Sequence, residues 1–421
     1  MRSSGFNPFF KSLVNSIVSW CASPRVTYLV FEPFFLLLGR RRNRTDIELA
    51  RVQRALVVRL DEIGDVVLTT SFLRELRRNL PNAWIALVVK AEIYNLVECC
   101  PYVNEVLTYS GSGHGIFERR RRALTLAWKR LWPRRFDLAI LQRWDTDWYD
   151  GTLLAYLSGA QWRIGYSERV SAEKQRLNAG FDRLLTHLVV DGPPRHEVER
   201  NLDVLRFLGG SVENDGLELW LTEGDEKFAA VAWQNHHVRD SDVVVGLGPS
   251  SGNAPLKQWP VSNFVDLARW LATEYQARVL IVGGPSEEPV GDLIKSAAGP
   301  SVFNMAGKTS LRQTAALLKR CQLFVGNDGG PMHLAAAVRV PTVALFGSSC
   351  HHRFGPWGQL GNVLWSVLPC SQCFQDNHGD RCRSCPFDRV YCMLAITVDQ
   401  TKGAVARVLE ENSKRYPSKH I

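Results

Sequence analysis

The sequence LFVGNDGGPMHLA at residues 323–335 joins a predicted buried strand to a predicted helix through a glycine-rich turn. Asn327 and Asp328 are favourable N-cap residues, and Gly329 and Gly330 let the backbone approach a ligand closely. Pro331 suits the first helical turn, where its missing N–H costs no hydrogen bond. Free N–H groups and the positive end of the helix dipole favour an anion such as phosphate here. An ordinary capped helix in an α/β core fits the same residues.

A second strand, PTVALF at residues 341–346, follows at once and completes a strand–helix–strand unit. Its loops lie at one sheet edge, where open α/β sheets bind ligands. Other apolar runs predict strands at 54–60, 84–89, 103–107, 138–141, 242–247 and 278–282. These runs predict two successive α/β domains, 51–222 and 223–398, with the substrate cleft between them. A C-terminal helix and polar tail are predicted at 399–421.

The composition is that of a globular protein with an excess of basic residues. The 421 residues are 45% hydrophobic and 22% charged, with a net charge of +9. Arginine clusters at 40–44, 119–122 and 130–135 favour anionic partners, although solvated helix faces fit them as well. No helix-turn-helix or aromatic RNA-binding pattern accompanies the charge, so nucleic acid is not the predicted partner.

Residues 1–50 form an N-terminal extension with apolar runs at 26–31 and 34–38 on either side of Glu32 and Pro33. The apolar stretch is shorter than the ~20 residues that a membrane-spanning helix needs. An anchor lying in the interface of an acidic membrane fits this pattern. An additional helix docked on the protein body is the alternative.

Three loops that follow predicted strands of the second domain favour a nucleotide diphosphate. In the first loop, Ser250 and Ser251 offer hydroxyls, and Lys257 offers a positive charge for a leaving pyrophosphate. In the second loop, Glu287 is placed to bind ribose hydroxyls. The third loop is the turn at 326–330.

In the first domain, Asp65 follows a strand and begins a helix. A carboxylate at this position can act as a general base that faces the cleft. It can also be a simple N-cap. Asp61 and Glu62 are competing carboxylates in the same loop.

The segment RLDEIGDVVLTT at residues 59–70 resembles the opening motif of glycosyltransferase family 9, the lipopolysaccharide heptosyltransferases. Five further segments match that family in order: FDLAI at 136–140, RIGY at 163–166, HEVERNL at 196–202, KQWP at 257–260 and GNDGGPMHLAAA at 326–337. The resemblance covers roughly residues 54–411 and leaves out the N-terminal extension.

The resemblance implies an α/β protein with the GT-B fold, in which two Rossmann-like domains turn their parallel sheets toward a central cleft. It implies that the second domain holds an ADP-activated sugar and that the first domain meets the acceptor. By position, Asp65 resembles the family's catalytic base, Lys257 its diphosphate-binding lysine and Glu287 its ribose- or base-binding glutamate. The implied chemistry inverts the anomeric carbon and needs no bound metal to hold the diphosphate.

The same resemblance implies a specific role in donor binding for the turn at 326–330 and the helix that follows it. Asp328 resembles the aspartate near the donor sugar, and Gly329, Gly330 and His333 lie beside the phosphates. One departure is the pair Asp61 and Glu62, where the family often has small or hydroxyl residues. These carboxylates are expected to raise the pKa of Asp65 and to repel a phosphorylated acceptor, which the arginine clusters at 119–122 and 130–135 would offset.

Residues 370–392 are rich in cysteine. Two CxxC pairs supply four thiols with the spacing of a structural zinc site: Cys370, Cys373, Cys382 and Cys385. Cys392 is a spare ligand, an iron–sulfur cluster is a second interpretation, and free buried thiols are a third.

The function predicted from these features is transfer of a heptose or related sugar from an ADP-activated donor to a lipopolysaccharide-type or other lipid-linked acceptor. Such an enzyme is expected to be cytoplasmic and peripherally bound to the inner face of the cytoplasmic membrane. A sugar-nucleotide epimerase on the same fold and a catalytically silent glycan-assembly protein are the alternatives. The joint presence of Asp65, Lys257, Glu287 and Asp328 favours an enzyme.

Overall fold

A computed structural model of the chain describes residues 24–37, 46–111, 115–190, 195–249, 251–252, 254–373 and 385–415. In this part of the chain, strands form two six-stranded sheets in which neighbouring strands run parallel. The first sheet contains β1 Arg54–Val58, β2 Trp84–Val89, β3 Glu105–Thr108, β4 Leu138–Leu141, β5 Trp162–Tyr166 and β6 His187–Val189. The second sheet contains β7 Val244–Gly248, β8 Arg278–Ile281, β9 Val302–Asn304, β10 Leu323–Asn327, β11 Thr342–Phe346 and β12 Val363–Trp365.

Helices cover and connect the two sheets. Those up to residue 207 are α1 Pro24–Leu37, α2 Ile63–Val67, α3 Thr70–Asn79, α4 Tyr94–Val97, α5 Ile116–Leu126, α6 Gly151–Leu157, α7 Ala172–Leu177 and α8 Glu197–Phe207. The later ones are α9 Glu223–Asn235, α10 Val261–Glu274, α11 Glu288–Ala298, α12 Leu311–Leu318, α13 Gly330–Ala337, α14 His351–Phe354, α15 Tyr391–Leu394 and α16 Val398–Arg415. The predicted domain division at 222/223 lies between the two sheets, at the start of α9.

Both sheets have the same strand order, with the fourth strand inserted beside the first. The orders are β3-β2-β1-β4-β5-β6 and β12-β11-β10-β7-β8-β9. Successive strands are added toward one edge of the sheet up to β3 and toward the other edge from β4, so the order reverses between the neighbours β1 and β4; in the second sheet it reverses between β7 and β10. Ligands bind outside the strand carboxyl ends at such points. The loops after these four strands carry Asp65, Arg143, Lys257 and Asp328, so the fold itself selects the site.

The turn at 326–330 differs in one detail from the sequence prediction. Asn327 is the last residue of β10, and Gly329 is the N-cap of α13 in an extended conformation, so neither Asn327 nor Asp328 caps the helix. The Asn327 amide instead donates to Pro249 O at 2.8 Å and its carbonyl accepts from Trp259 N at 3.1 Å. Asn327 therefore holds the neighbouring loop rather than the helix.

Helix α1, from the N-terminal extension, runs without a break through Glu32 and Pro33. Its inner side packs on the first domain, where Phe35 is 2% exposed and meets the Tyr156 ring edge-on at 5.5 Å. Glu32 accepts a hydrogen bond of 3.1 Å from the Tyr156 hydroxyl. The predicted arginine run at 40–44 lies outside the described residues. Among those described, no helix combines the length and the apolar character needed to cross a bilayer.

Candidate active site

Helices α2 and α13 bring the two domains together at the proposed site. A Cβ atom on Gly64 would overlap the His333 ring, coming within 2.9 Å of its Nε2. A Cβ atom on Gly330 would lie 3.1 Å from Ile63 Cγ2. Both glycines therefore permit the close approach of the helices. The contact places the loop that carries Asp65 directly against the turn that follows Asp328.

Asp65 occupies the N3 position of α2. Its Oδ2 accepts a 3.2 Å hydrogen bond from the backbone N–H of Glu62, which is the N-cap residue. The carboxylate thus caps the helix from its third residue through Oδ2, and Oδ1 takes no part in this cap. Oδ1 lies 3.7 Å from Arg59 Nη2, and 19% of the side chain stays exposed. Asp65 is therefore both anchored and reachable by an acceptor hydroxyl.

The surroundings of Asp65 make it a stronger base than an ordinary aspartate. Burial, and after it the negative charge of Asp61, raise the pKa of Asp65 to about 6, although Arg59 and Arg143 act in the opposite direction. The sequence-based expectation that Asp61 would raise this pKa agrees with that shift. An aspartate with a pKa near 6 is ionised at neutral pH and still accepts a proton readily.

Asp61 is buried between two arginines. Its Oδ2 lies 3.0 Å from Arg59 Nε, and its Oδ1 accepts a hydrogen bond from Arg143 Nη1. Burial alone would raise the pKa of Asp61, but Arg143 and Arg59 outweigh it and hold the pKa below its usual range. Arg59 also donates to Glu197 Oε1 at 3.2 Å, so one buried guanidinium lies within ion-pair distance of three carboxylates, including the proposed base Asp65.

Glu62 is likewise paired within the first domain. Its Oε1 lies 2.5 Å from Lys90 Nζ and accepts a 2.7 Å hydrogen bond from the Tyr149 hydroxyl. The Lys90 ammonium in turn sits 3.7 Å above the Tyr149 ring. Cations from neighbouring loops therefore balance both extra carboxylates, and the expected repulsion of a phosphorylated acceptor is weaker than the sequence suggested.

The arginine clusters of α5 and the turn after it make other contacts. Arg121 and Arg122 both pair with Glu118, and Arg130 and Arg134 both pair with Glu105. Their predicted role in binding the acceptor stays a prediction. Arg59, Lys90 and Arg143 are the basic residues that the structure places around Asp61, Glu62 and Asp65.

Arg353, from α14 of the second domain, reaches across to the first domain. Its Nε lies 3.3 Å from Glu197 Oε2 and its Nη1 lies 3.4 Å from Asp145 Oδ2. The Trp144 ring lies between two guanidinium groups, with Arg353 at 4.4 Å and Arg200 at 3.8 Å from its centroid. This cross-domain stack links the loop after β4 to the second domain.

His196 makes a second polar connection between the domains. Its Nδ1 accepts from Val198 N at 3.2 Å, so Nε2 carries the hydrogen that it donates to Gly355 O at 2.9 Å. Burial lowers the pKa of His196, in keeping with a neutral ring. The HEVERNL segment therefore acts at the domain junction through His196 and Glu197.

On the donor side, Lys257 Nζ forms a 2.8 Å ion pair with Asp328 Oδ2. Burial opposes ionisation of Asp328, but Lys257 and His333 hold its pKa below the usual range. Two hydrogen bonds hold the loop on either side of Lys257. Ser348 Oγ donates to Leu256 O at 3.0 Å, and Trp259 N donates to Asn327 Oδ1 at 3.1 Å. The lysine is thus positioned at the carboxyl ends of β7 and β10 before any ligand arrives.

His333 lies in the first turns of α13, between the two halves of the site. Its Nε2 is 3.9 Å from Asp328 Oδ1. Burial lowers the pKa of His333 to about 4, so the ring is neutral near pH 7. A neutral imidazole can donate one hydrogen bond to a phosphate or sugar oxygen without adding charge.

The remaining predicted donor residues have local partners. Glu287 is buried, and its carboxylate accepts from Gly284 N and from Ser286 Oγ, the latter at 2.7 Å. Ser251 Oγ donates to Ala254 O at 3.0 Å, while Ser250 lies outside the described residues. Glu287 therefore shapes its own turn, and its predicted ribose contact stays a prediction.

The cysteine segment is only partly described. Cys370, Cys373 and Cys385 are half-buried, and Cys382 lies outside the described residues. Burial, and then the neighbouring Cys370 and Cys385, raise the pKa of Cys392, so these thiols lie in one region. Among the residues that the structure describes, no three His, Cys, Asp or Glu side chains are arranged to hold a metal ion. The zinc site stays a prediction that metal analysis of the purified protein can test.

Sequence reasoning missed several residues that the structure brings to the site. Arg59 and Arg143 lie just after the buried strands β1 and β4. A charged residue directly after a buried strand could have identified both as site residues. Lys174 was not recognisable, because its Nζ reaches Arg143 O and Trp144 O, both at 3.0 Å, only after folding. Arg353 was equally hidden, since its partners precede it by more than 150 residues.

Two Rossmann-type sheets, with a basic carboxylate on one side of their junction and a lysine and helix N-terminus on the other, define a GT-B glycosyltransferase. Solved structures share this fold. The glycosyl transferase family 9 protein from Veillonella parvula DSM 2008 matches with a TM-score of 0.71 and 24% identity, covering 87% of this chain and 100% of that chain. Escherichia coli ADP-heptose LPS heptosyltransferase II matches with a TM-score of 0.63 and 22% identity, covering 86% of this chain and 99% of that chain.

The sequence profile of glycosyltransferase family 9 (heptosyltransferase) matches residues 125–382, and the chain belongs to this family of transferases. Lipopolysaccharide heptosyltransferase 3 of Escherichia coli K12 is 28% identical over 315 residues, which cover 72% of this chain and 85% of the relative. Lipopolysaccharide heptosyltransferase 2 of the same strain is 27% identical over 326 residues, covering 74% and 87%. The predicted family, fold and enzyme class are confirmed.

The contact between Gly64 and His333 gives a first testable prediction. Gly64→Ala is expected to lower kcat/KM by about a hundredfold, because a methyl group at this position pushes α2 and the base away from α13. Steady-state kinetics measure the loss. Gly403→Ala in α16 is the control, since its new Cβ meets nothing within 4 Å and should leave kcat/KM unchanged. Wild-type kinetics in Gly64→Ala would contradict the proposed domain contact.

Proposed function

We propose that this protein is an inverting heptosyltransferase that moves a heptose or related sugar from an ADP-activated donor to a lipopolysaccharide-type acceptor. The observation that carries the proposal is the junction of α2 and α13, where Gly64, the neighbour of Asp65, lies against His333, whose Nε2 is 3.9 Å from Asp328 Oδ1. The names of the relatives add support, because they are lipopolysaccharide heptosyltransferases that match most of both chains.

The donor is proposed to bind in the second domain with its diphosphate beside Lys257 and the N-terminus of α13. The helix N-terminus offers N–H groups and a favourable dipole, and the lysine offers a full charge. An arriving diphosphate competes with Asp328 for Lys257, which frees the Asp328 carboxylate to accept hydrogen bonds from sugar hydroxyls. In this proposal the protein itself neutralises the leaving diphosphate, and catalysis requires no metal cofactor.

The acceptor is proposed to bind in the first domain with one hydroxyl at Asp65. That hydroxyl gives its proton to the Asp65 carboxylate while its oxygen forms the new bond to the anomeric carbon. The bond from that carbon to the diphosphate oxygen breaks, and its electron pair leaves with ADP. Approach from the face opposite ADP inverts the anomeric carbon, and Lys257 stabilises the charge that develops on the leaving group.

The proposed acceptor is anchored in a bilayer, so the protein is proposed to work at the cytoplasmic face of the inner membrane as a peripheral protein. The basic composition supports this location, because the cytoplasmic leaflet carries acidic lipids.

A donor screen tests the proposed function. The thermal midpoint of the full chain is measured with ADP-, GDP- and UDP-sugars, and ADP-heptose is expected to give the largest increase by mass action. Transfer of labelled heptose to a lipopolysaccharide acceptor lacking heptose then tests the reaction. If only a GDP- or UDP-sugar raised the thermal midpoint, the proposed ADP-activated donor would be wrong. If ADP-heptose bound but no heptose were transferred, the proposed reaction would be wrong.

The pKa of Asp65 predicts how the reaction depends on pH. Below pH 6 the base becomes protonated, so kcat/KM should fall about tenfold for each pH unit and level off above neutrality. Asp61→Asn removes the charge that, after burial, raises this pKa, so the acid limb should move to lower pH. Asp145→Asn is the control, because that carboxylate pairs with Arg353. An unchanged limb in Asp61→Asn would contradict the assignment of the limb to Asp65.

A further inference from the structure

Helix α1 is apolar on the side that faces away from the protein. Its inner side chains pack on the first domain through Tyr28, Phe31 and Phe35. On its outer side, Leu29 is 70% exposed, Val30 59% and Leu37 87%. A surface helix normally turns charged residues outward, so an outward apolar side indicates that something else covers it.

The apolar surface continues from α1 onto α5 and the helical turn after it. Phe34 packs on Trp132 at 5.4 Å, and Trp132 stacks on Trp128 at 6.2 Å between ring centroids. Trp128 is 72% exposed, and Phe117 is 62% exposed. Phe117, Leu124 and Trp128 follow one another at intervals of seven and four residues, which places them on one side of the helix. We call the outer sides of α1, of α5 and of the helical turn Ala127–Leu131 together the α1–α5 surface.

Basic residues are interspersed along the α1–α5 surface. Residues 117–135 contain eight lysines and arginines and a single acidic residue, Glu118. The side chains of Arg121 and Arg130 remain 69% and 50% exposed although each pairs with a glutamate. Exposed aromatic and aliphatic residues mixed with positive charge match an acidic bilayer, which takes up the apolar groups and attracts the cations.

The position of α5 connects this surface to the site. Helix α5 follows β3 and begins at the sheet edge that carries Asp65. Near its start, Arg119 Nε donates to Asp150 Oδ2 at 2.8 Å, and Asp150 belongs to the β4–α6 connection that also carries Arg143. An acceptor whose lipid lies in a bilayer against this surface therefore has its sugar end at the edge of the cleft.

We propose that the α1–α5 surface is the membrane-docking surface of this protein and that its partner is a bilayer containing acidic lipids. The inference rests on the proposed function only for the direction of the acceptor; the binding itself is independent of it.

Vesicle flotation of the full chain tests the proposal. The protein is expected to float with phosphatidylcholine vesicles that contain about 30 mol % phosphatidylglycerol, and to bind pure phosphatidylcholine about tenfold more weakly. Leu29→Glu/Leu37→Glu is expected to lower binding to the acidic vesicles by about tenfold or more, because two exposed apolar side chains become carboxylates. Val231→Glu/Leu293→Glu, at side chains 46% and 56% exposed in α9 and α11, is the matched control and should bind like wild type.

Three results would overturn the proposal: equal flotation of wild type and Leu29→Glu/Leu37→Glu, equal binding to neutral and acidic vesicles, or a wild-type dimer in gel filtration that this variant converts to a monomer. The last result would assign the surface to a second copy of the chain. Transfer to a deacylated, soluble acceptor separates this proposal from the proposed function. Leu29→Glu/Leu37→Glu should still transfer sugar to the soluble acceptor. If wild type did not transfer sugar to this acceptor, the result would count against the transferase proposal alone.

Discussion

Asp65→Asn is expected to lower kcat by about 10³-fold while leaving donor affinity unchanged. The amide can still accept the capping hydrogen bond from Glu62 N, so α2 and the domain contact should remain intact. It cannot accept the proton of the acceptor hydroxyl. Steady-state kinetics give kcat, and calorimetric titration with ADP gives donor-site affinity.

The same substitution is expected to stabilise the protein. The folded-state pKa of about 6 lies above the ordinary value of 3.8, so the folded protein binds more protons between these pH values and loses stability as pH rises through them. At neutral pH the ionised Asp65 costs about 3 kcal/mol, which Asn removes. The thermal midpoint of Asp65→Asn should therefore exceed that of wild type at pH 7, and the difference should shrink toward pH 4.

Asp225 provides a matched control, because it also occupies the N3 position of a capping box, in α9. It pairs with Arg312 at 2.9 Å, and despite its burial, hydrogen bonds from Thr222 and Arg312 lower its pKa. Asp225→Asn should leave kcat unchanged and lower the free energy of unfolding, whereas Asp65→Asn should lower kcat and raise the free energy of unfolding. A loss of stability together with activity in Asp65→Asn would mean that Asp65 is a structural cap and not the base.

Lys257→Met is expected to lower kcat/KM by about 10²- to 10³-fold, because the charge that stabilises the leaving diphosphate is gone. Affinity for ADP should fall as well. Calorimetric titration with ADP and single-turnover transfer separate the two effects. Lys308→Met is the control, since Lys308 pairs with Glu288 at 3.4 Å in the same domain and is half exposed.

The loss of Lys257 also leaves Asp328 buried without its cation, so the variant is expected to be less stable. The double variant Lys257→Met/Asp328→Asn removes that unpaired charge and should regain stability without regaining activity. Recovery of activity in the double variant would show that Lys257 serves only to balance Asp328.

Much of the fold was predictable because strands buried on both faces form continuous apolar runs. The strands β1, β2, β4, β8, β10 and β11 are of this kind and were all expected. The short strands β9 and β12, with three residues each at the edges of their sheet, carry too little pattern to be recognised. Each is placed only by pairing with the strand before it in the chain, β9 with β8 and β12 with β11.

The candidate site residues Asp65, Lys257 and Asp328 were recognisable because each lies in the connection that follows a buried strand. What the sequence could not show is how charges from distant segments compensate one another. Asp61 and Glu62 suggested repulsion, but Arg143 and Lys90 balance them from other loops. The meeting of Gly64 and His333 likewise depends on how the two domains pack, and no local pattern encodes that.

The most direct test of the central claim is a crystal structure of the full chain with a non-transferable ADP-2-deoxy-2-fluoro-heptose. Diphosphate oxygens are expected within hydrogen-bonding distance of Lys257 and the N-terminus of α13. The anomeric carbon is expected to face Asp65 with room for one hydroxyl between them. A diphosphate bound away from Lys257, or an anomeric carbon that faces away from Asp65, would contradict the central claim.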